Sequence, residues 1–163
     1  MGAQAGTRIR KAGSPDAATL TDIAHAAKRH WGYTEELIQL WDSDLSVSPA
    51  FIEDHFVYCA VDGREILGFY ALSREGAVFE LEHMWVRPQH LGAGIGTSLF
   101  AHTLRTVRSE RGTTLRIASD PNAEGFYRRM GARRVGEIPT RPEGRVLPLL
   151  VIELGSPAPA SCA

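Results

Sequence analysis

Apolar residues in the first thirty positions recur at helical spacing. Leu20, Ile23, Ala24 and Ala27 fall on one side of a helix. Ahead of them, Ser14-Pro15-Asp16 has the chemistry of a helix start, with Ser14 as cap and Pro15 at the first helical position. That helix is predicted to run to about Lys28, after a short strand at 7–11. A second, shorter helix is predicted over 33–41, with Leu37, Ile38 and Trp41 on one side. From 56 onward the pattern becomes strand-like. Runs at 56–61 and 65–72 flank Asp62-Gly63, a strong hairpin signal because both residues tolerate positive φ. A third strand, 77–86, follows the Glu75-Gly76 turn and ends at Pro88. A helix over 96–109 has Ile95, Leu99, Leu104 and Val107 on its apolar side. A strand at 115–119 and a short helix at 123–130, stopped by Gly131, come next. Strands at 134–138 and 147–154 close the chain, with a polar loop between them. The order β-α-α-β-β-β-α-β-α-β-β implies a mixed sheet covered by helices.

The chain has 163 residues, the length of one domain at roughly 150 residues each. A chain of this size can bury about 70% of its unfolded surface, so it needs no disulfide or metal staple. We expect a flexible arm at 1–6, one domain at 7–154 and a flexible tail at 155–163. The two cysteines, Cys59 and Cys162, form neither a disulfide framework nor a zinc spacing. They fit a reducing, cytoplasmic setting. The opening MGAQAGTRIRK lacks the apolar stretch of a secretory leader, and Gly6 breaks the myristoylation pattern. No apolar run approaches the ~18 residues needed to span a membrane, so no membrane partner is expected.

Net charge is −1, but it is unevenly spread. Residues 1–86 hold seven Lys/Arg and thirteen Asp/Glu, whereas 87–163 hold eleven Arg and six Asp/Glu. This is either chance segregation or a dipolar protein, with a basic half for a phosphorylated cofactor and an acidic half for a cationic partner. The arginines form no run with interleaved aromatics, so no nucleic-acid partner is expected.

The chemistry concentrates at VRPQHLGAGIGTSLF, residues 86–100. Three glycines alternate between a strand and a helix, an arrangement that turns backbone N–H groups into one concavity beside the positive end of a helix dipole. A tight strand-to-helix turn would also use glycine. Thr97 and Leu99 stand where a dinucleotide fingerprint needs its last glycine. No Gly-Lys-Ser/Thr follows, as a nucleoside triphosphate loop would require. The six histidines show no metal-ligand spacing, so no metal is expected. A pyrophosphate-sized anion remains.

V-x-P followed by polar residues and G-x-G-x-G resembles the acetyl-coenzyme A loop of the GNAT superfamily of N-acetyltransferases. DPNAEGFYRRMGARRVGE at 120–137 resembles the superfamily's later motif, an Asn followed by a Phe-Tyr helix ending in Gly. The resemblance spans 7–154 and is carried by 79–104 and 115–136. It implies an α/β (α+β) fold with a mixed, mostly antiparallel sheet of about seven strands. Helices would lie on both faces, and a parallel pair would splay at the cofactor site. It also implies acetyl-coenzyme A as co-substrate, held by Leu91, Gly92, Ala93, Gly94, Ile95, Gly96 and Thr97, by the backbone of Met84, Trp85 and Val86, and by Asn122. Where the family carries Arg or Gln, this chain has Leu91, whose backbone N–H is expected to serve instead. Asn122 matches the family's cofactor Asn after a two-residue shift; it would otherwise cap the helix.

Acetyl transfer to an amine needs a base for the amine, stabilisation of the carbonyl oxygen and an acid for the departing thiolate. Glu80 and Glu82 share one face of their strand by period two and are the candidate bases; their alternative is a solvated face. His83, on the other face, reads as packed or hydrogen-bonded rather than catalytic. Tyr127 matches the family's general acid, with plain packing as its alternative. His30, Trp31, Tyr33 and Trp41 are candidate acceptor-binding residues, suited to a cationic amine if they are not simply core.

The expected activity is direct acetyl transfer, in a ternary complex, to a primary amine of a small molecule or peptide. A non-catalytic coenzyme A-binding sensor is the alternative, and transfer of a longer acyl group is not distinguished. A homodimer stays open.

Overall fold

A computed structural model describes residues 6–155. The expected arm and tail therefore lie outside the described residues, apart from Gly6 and Gly155. The strands are β1 (Thr7–Lys11), β2 (Phe56–Asp62), β3 (Glu65–Glu75), β4 (Val78–Val86), β5 (Thr114–Ala118), β6 (Arg133–Thr140) and β7 (Arg145–Glu153). The helices are α1 (Ala17–His30), α2 (Glu35–Leu40), α3 (Asp42–Leu45), α4 (Pro49–Asp54), α5 (Ile95–Ser109) and α6 (Glu124–Arg129). The strands form one seven-stranded sheet in the order β1-β2-β3-β4-β5-β7-β6. The pairing is mostly antiparallel, and β4 with β5 is parallel. This is the mixed architecture the resemblance implied.

The chain divides into two compact units. The first comprises residues up to Leu72 together with Glu82–His102; the second comprises Ser73–Leu81 and everything from Thr103 onward.

In the first unit, α1 packs its predicted stripe inward: Leu20, Ile23 and Ala24 are fully buried, in one cluster with Ile38, Trp41, Leu45, Ile52, Val57 and Phe69. Its N-terminus differs from expectation. A 3-10 turn at Ser14–Asp16 precedes it, and the Asp16 carboxylate, not Ser14, accepts the Gly13 N–H at 2.8 Å. Asp16 also holds Arg10 at 2.8 Å, which keeps its carboxyl below the ordinary range. Ser14 donates instead to Glu53. The predicted helix at 33–41 is shorter, and two short helices, α3 and α4, follow it. At the first hairpin, Asp62 still pairs with Glu65, so the turn residues are Gly63 and Arg64.

β3 is buried continuously from Ile66 to Leu72, as a strand covered on both faces must be. Within it, a Cβ on Gly68 would stand 2.7 Å from the Trp85 carbonyl oxygen and 3.2 Å from Val86 Cα. Only glycine lets β3 run this close to the end of β4.

In the second unit, the hydrophobic residues Phe79, Val107, Leu115, Ile117 and Leu150 are fully buried. β5 lies between β4 and β7. The parallel ladder has three pairs, Val78–Thr114, Phe79–Leu115 and Glu80–Arg116, and stops there. β4 continues to Val86, so over 82–86 its edge is not laddered to β5.

Candidate active site

The glycine segment begins with a clamp in the first unit. The Arg87 N–H donates to the Leu67 carbonyl at 2.8 Å, and its Nε donates to the Ile66 carbonyl at 2.6 Å. His90 reaches Glu65 at 3.3 Å. These contacts tie the loop base to β3. A 3-10 turn at Pro88–His90 follows, and it corrects one expectation. The Leu91 N–H is turned back onto the Pro88 carbonyl at 3.3 Å, and the Ala93 N–H onto His90 at 3.4 Å. Leu91 therefore offers neither a polar side chain nor its amide.

The remaining amides are differently placed. Gly92 and Gly94 have φ of 81° and 82°, a region that side chains with Cβ rarely occupy. A Cβ on Gly92 would meet nothing within 4 Å, so the loop surface is open there. The first bond of the following 15-residue helix runs from the Ser98 N–H to the Gly94 carbonyl. Ile95, Gly96 and Thr97 thus precede the helical ladder. Among the described residues, the N–H groups of Gly92, Gly94, Ile95, Gly96 and Thr97 have no backbone or side-chain acceptor. Five unengaged donors at a helix N-terminus match the chemistry of a diphosphate. Met84, Trp85 and Val86 are half-buried on the unladdered part of β4.

The acceptor-side candidates divide. His30 and Trp31 are exposed, packed edge to face at 5.4 Å, and Trp31 keeps 42% of its surface. Tyr33 and Trp41 meet edge to face at 5.0 Å, but Trp41 is only 4% exposed and belongs to the core. Their faces are committed to an internal cation. The Lys28 ammonium lies 4.8 Å from the Tyr33 ring, 4.7 Å from Trp41 and 5.5 Å from Trp85. Trp85 in turn donates its indole N–H to His83 Nδ1 at 3.0 Å. His83 is packed and hydrogen-bonded, as its strand face suggested. Burial, reinforced by the nearby His55 and opposed by Asp44, pushes its pKa down to about 4.

Of the other candidates, Glu82 belongs to the first unit and Glu80, Tyr127 and Asn122 to the second. Glu80 is exposed and accepts a hydrogen bond from Arg116 at 2.9 Å. Glu82 is also exposed. Tyr127, on α6, is buried, and desolvation followed by the Asp120 charge pushes its phenol well above the ordinary range. At neutral pH it is fully protonated. Asp120 rather than Asn122 caps the turn before α6: its carboxylate accepts both the backbone N–H and the side-chain amide of Asn122 at 2.9 Å. No group of three or more His, Cys, Asp and Glu able to hold a metal exists among the described residues. Nor is any helix among them long and apolar enough to cross a membrane.

Sequence reasoning missed Arg87, Gly68, Arg116 and Lys28. Gly68 had a legible signal, an isolated glycine within a strand. Arg87 sits in the motif itself, but its partners lie on another strand.

Comparison with known proteins places this arrangement. Residues 32–145 match the family model of the acetyltransferase (GNAT) domain. The blasticidin-S acetyltransferase of Streptomyces morookaense is 32% identical over 108 residues, 63% of this chain and 77% of that protein. The PaiA N-acetyltransferase of Thermoplasma acidophilum, solved in complex with coenzyme A, aligns with a TM-score of 0.76 at 18% identity, over 91% of this chain and 99% of that one. A GNAT family acetyltransferase of Brucella melitensis, solved with acetyl-CoA, aligns at 0.64 and 21%, over 94% and 91%. The structural likenesses concern the fold; the family model, over residues 32–145, covers the glycine loop and the Phe-Tyr helix together, and by it the chain belongs to the GNAT acetyltransferase family.

Proposed function

We propose that the chain is an N-acetyltransferase that moves the acetyl group of acetyl-coenzyme A directly to a primary amine of a small molecule or peptide, with both substrates bound together. The carrying observation is the set of five N–H groups, at Gly92, Gly94, Ile95, Gly96 and Thr97, that have no acceptor among the described residues. They suit the pyrophosphate of coenzyme A and need no particular side chain. The unladdered edge of β4 at Met84, Trp85 and Val86 suits the amides of the pantetheine arm.

Acetyl-coenzyme A supplies an already activated thioester, so no covalent acyl-enzyme is required. Glu80, with Glu82 as the fallback, takes the amine's proton, and Arg116 orients Glu80. Tyr127 delivers a proton to the departing sulfur. Burial keeps it in the protonated state an acid must start from, but also weakens it. The transfer therefore requires the sulfur to be desolvated in the same way. The coenzyme A-binding sensor is the rival reading, and a sensor has no use for a buried tyrosine or a carboxylate pair. A cytoplasmic setting fits the free, buried Cys59.

The test is thiol release from acetyl-coenzyme A over a panel of primary amines, alongside calorimetry of cofactor binding. Blasticidin S belongs in the panel because the Streptomyces relative is named for it. Release with any amine supports the enzyme. Tight coenzyme A binding without release across the panel favours the sensor.

A further inference from the structure

We propose that His83 is a specificity-determining residue of the acceptor site: its Nε2–H donates a hydrogen bond to a carbonyl, carboxylate or hydroxyl oxygen on the molecule whose amine is acetylated. The inference rests on the acetyltransferase reading and deepens it.

The argument begins with Trp85. An indole N–H is a donor and nothing else, so His83 Nδ1, which receives it at 3.0 Å, must present its lone pair. A neutral imidazole carries one proton, which therefore sits on Nε2. The tautomer is set by Trp85, and Trp85 is itself held, since its ring faces the ammonium of the buried Lys28 in the same box as Tyr33 and Trp41. Phe51 and Phe69 fix the imidazole plane, with ring centroids at 5.5 and 5.6 Å.

What this leaves is one oriented donor. His83 is 6% exposed, and among the described residues its Nε2 has no hydrogen-bond partner. An unmatched buried donor is costly and rare. Yet Nε2 is not sealed. Among the described residues, Thr7 Oγ1 is the side-chain polar atom both shut off from solvent and unpartnered. Nε2 therefore keeps a narrow contact with solvent, through which an acceptor can reach it.

The same geometry excludes His83 as the base. Accepting a proton would mean placing it on Nδ1, against the indole N–H. Burial and a charge on His55, which follows α4, oppose protonation; Asp44 on α3 favours it without prevailing, and the Lys28 ammonium on α1 is a further positive charge near Trp85. At neutral pH the ring has one job, donation. It accepts an oxygen and rejects a second N–H, which separates amines bearing a neighbouring oxygen from plain alkylamines.

The experiment has two readouts on the full chain. In 15N-histidine NMR at pH 7, His83 should show protonated Nε2 and bare Nδ1. A proton on Nδ1, or a charged ring, overturns the proposal. Trp85→Phe, which removes the indole N–H, should turn the single tautomer into a mixture.

The second readout is kcat/KM for glycinamide, L-alanine and ethanolamine relative to ethylamine, propylamine and benzylamine. His83→Asn keeps an acceptor for Trp85 but loses the distal donor. It should cut the preference for oxygen-bearing amines about 10–100-fold, through KM, the loss expected for one buried hydrogen bond. His83→Gln, which restores a donor near Nε2, should recover part of it. An unchanged preference in His83→Asn, or a loss confined to kcat, overturns the proposal. If acetyl-coenzyme A fails to bind the parent protein, the acetyltransferase reading fails instead, and the NMR result stands apart from it.

Discussion

The glycine loop and the Glu80–Tyr127 candidates draw on different parts of the chain. The loop, in the first unit, offers main-chain N–H groups, and its shape follows from two glycines at φ near 80°. The second unit's candidates offer side chains, and their state is set by distant partners: Arg116 meets Glu80 from 36 residues away, and burial raises the Tyr127 phenol. A main-chain site is a local property of residue type. A side-chain site acquires its chemistry from whatever the fold brings next to it.

The sharpest way to break this contrast is at the loop. Gly94→Asp places a Cβ at φ 82° and a carboxylate where a phosphate should sit. The backbone strain is about 1–2 kcal/mol, but the loss of acetyl-coenzyme A affinity should be about 10³-fold or more. Calorimetry paired with a thermal midpoint separates the two. Unchanged affinity would remove the loop from the cofactor site.

His83 sharpens the contrast, as a first-unit side chain whose state is nonetheless set by the fold. Its pKa falls from 6.5 to about 4 on folding. The unfolded chain therefore binds a proton between these values that the native chain refuses, and stability drops as pH falls through that window. The loss approaches roughly 3 kcal/mol near pH 4. Denaturant midpoints at pH 7 and 4.5 should differ in the parent and converge in His83→Asn.

Tyr127→Phe keeps the ring and removes the proton. Turnover should fall about 10²-fold with cofactor affinity little changed. Wild-type turnover would return Tyr127 to packing alone.

The smallest effect is at the carboxylates. Glu80→Gln should lower activity about tenfold at pH 7 and less at pH 9, where more of the amine is already neutral. Glu82→Gln should do less. A pH–rate profile unaltered in both and in the double variant would leave catalysis to positioning.

Much of the fold was readable in the chain because its long elements carry full periods. α1, α5 and the β2–β3 hairpin fall within two or three residues of where spacing put them. The segment 42–54 did not, because α3 and α4 have four and six residues, too few to show a repeat. α4 still carried a cue in Ser48-Pro49: Ser48 caps it by accepting the Phe51 N–H at 3.0 Å. For the site, the loop was legible from glycine alone. The engagement of the Leu91 amide, the use of Tyr33 and Trp41 by Lys28, and the fixed tautomer of His83 were not. Each depends on a carbonyl, an ammonium or an indole delivered by folding.

The boundaries of the two units fall inside β3, β4 and α5, at 72/73, 81/82 and 102/103. No boundary coincides with a loop, so the chain has no seam. A contiguous exchange between related genes cannot transplant one unit intact, since each unit is assembled from two separate stretches. Cutting at any of these points would sever a strand or helix midway.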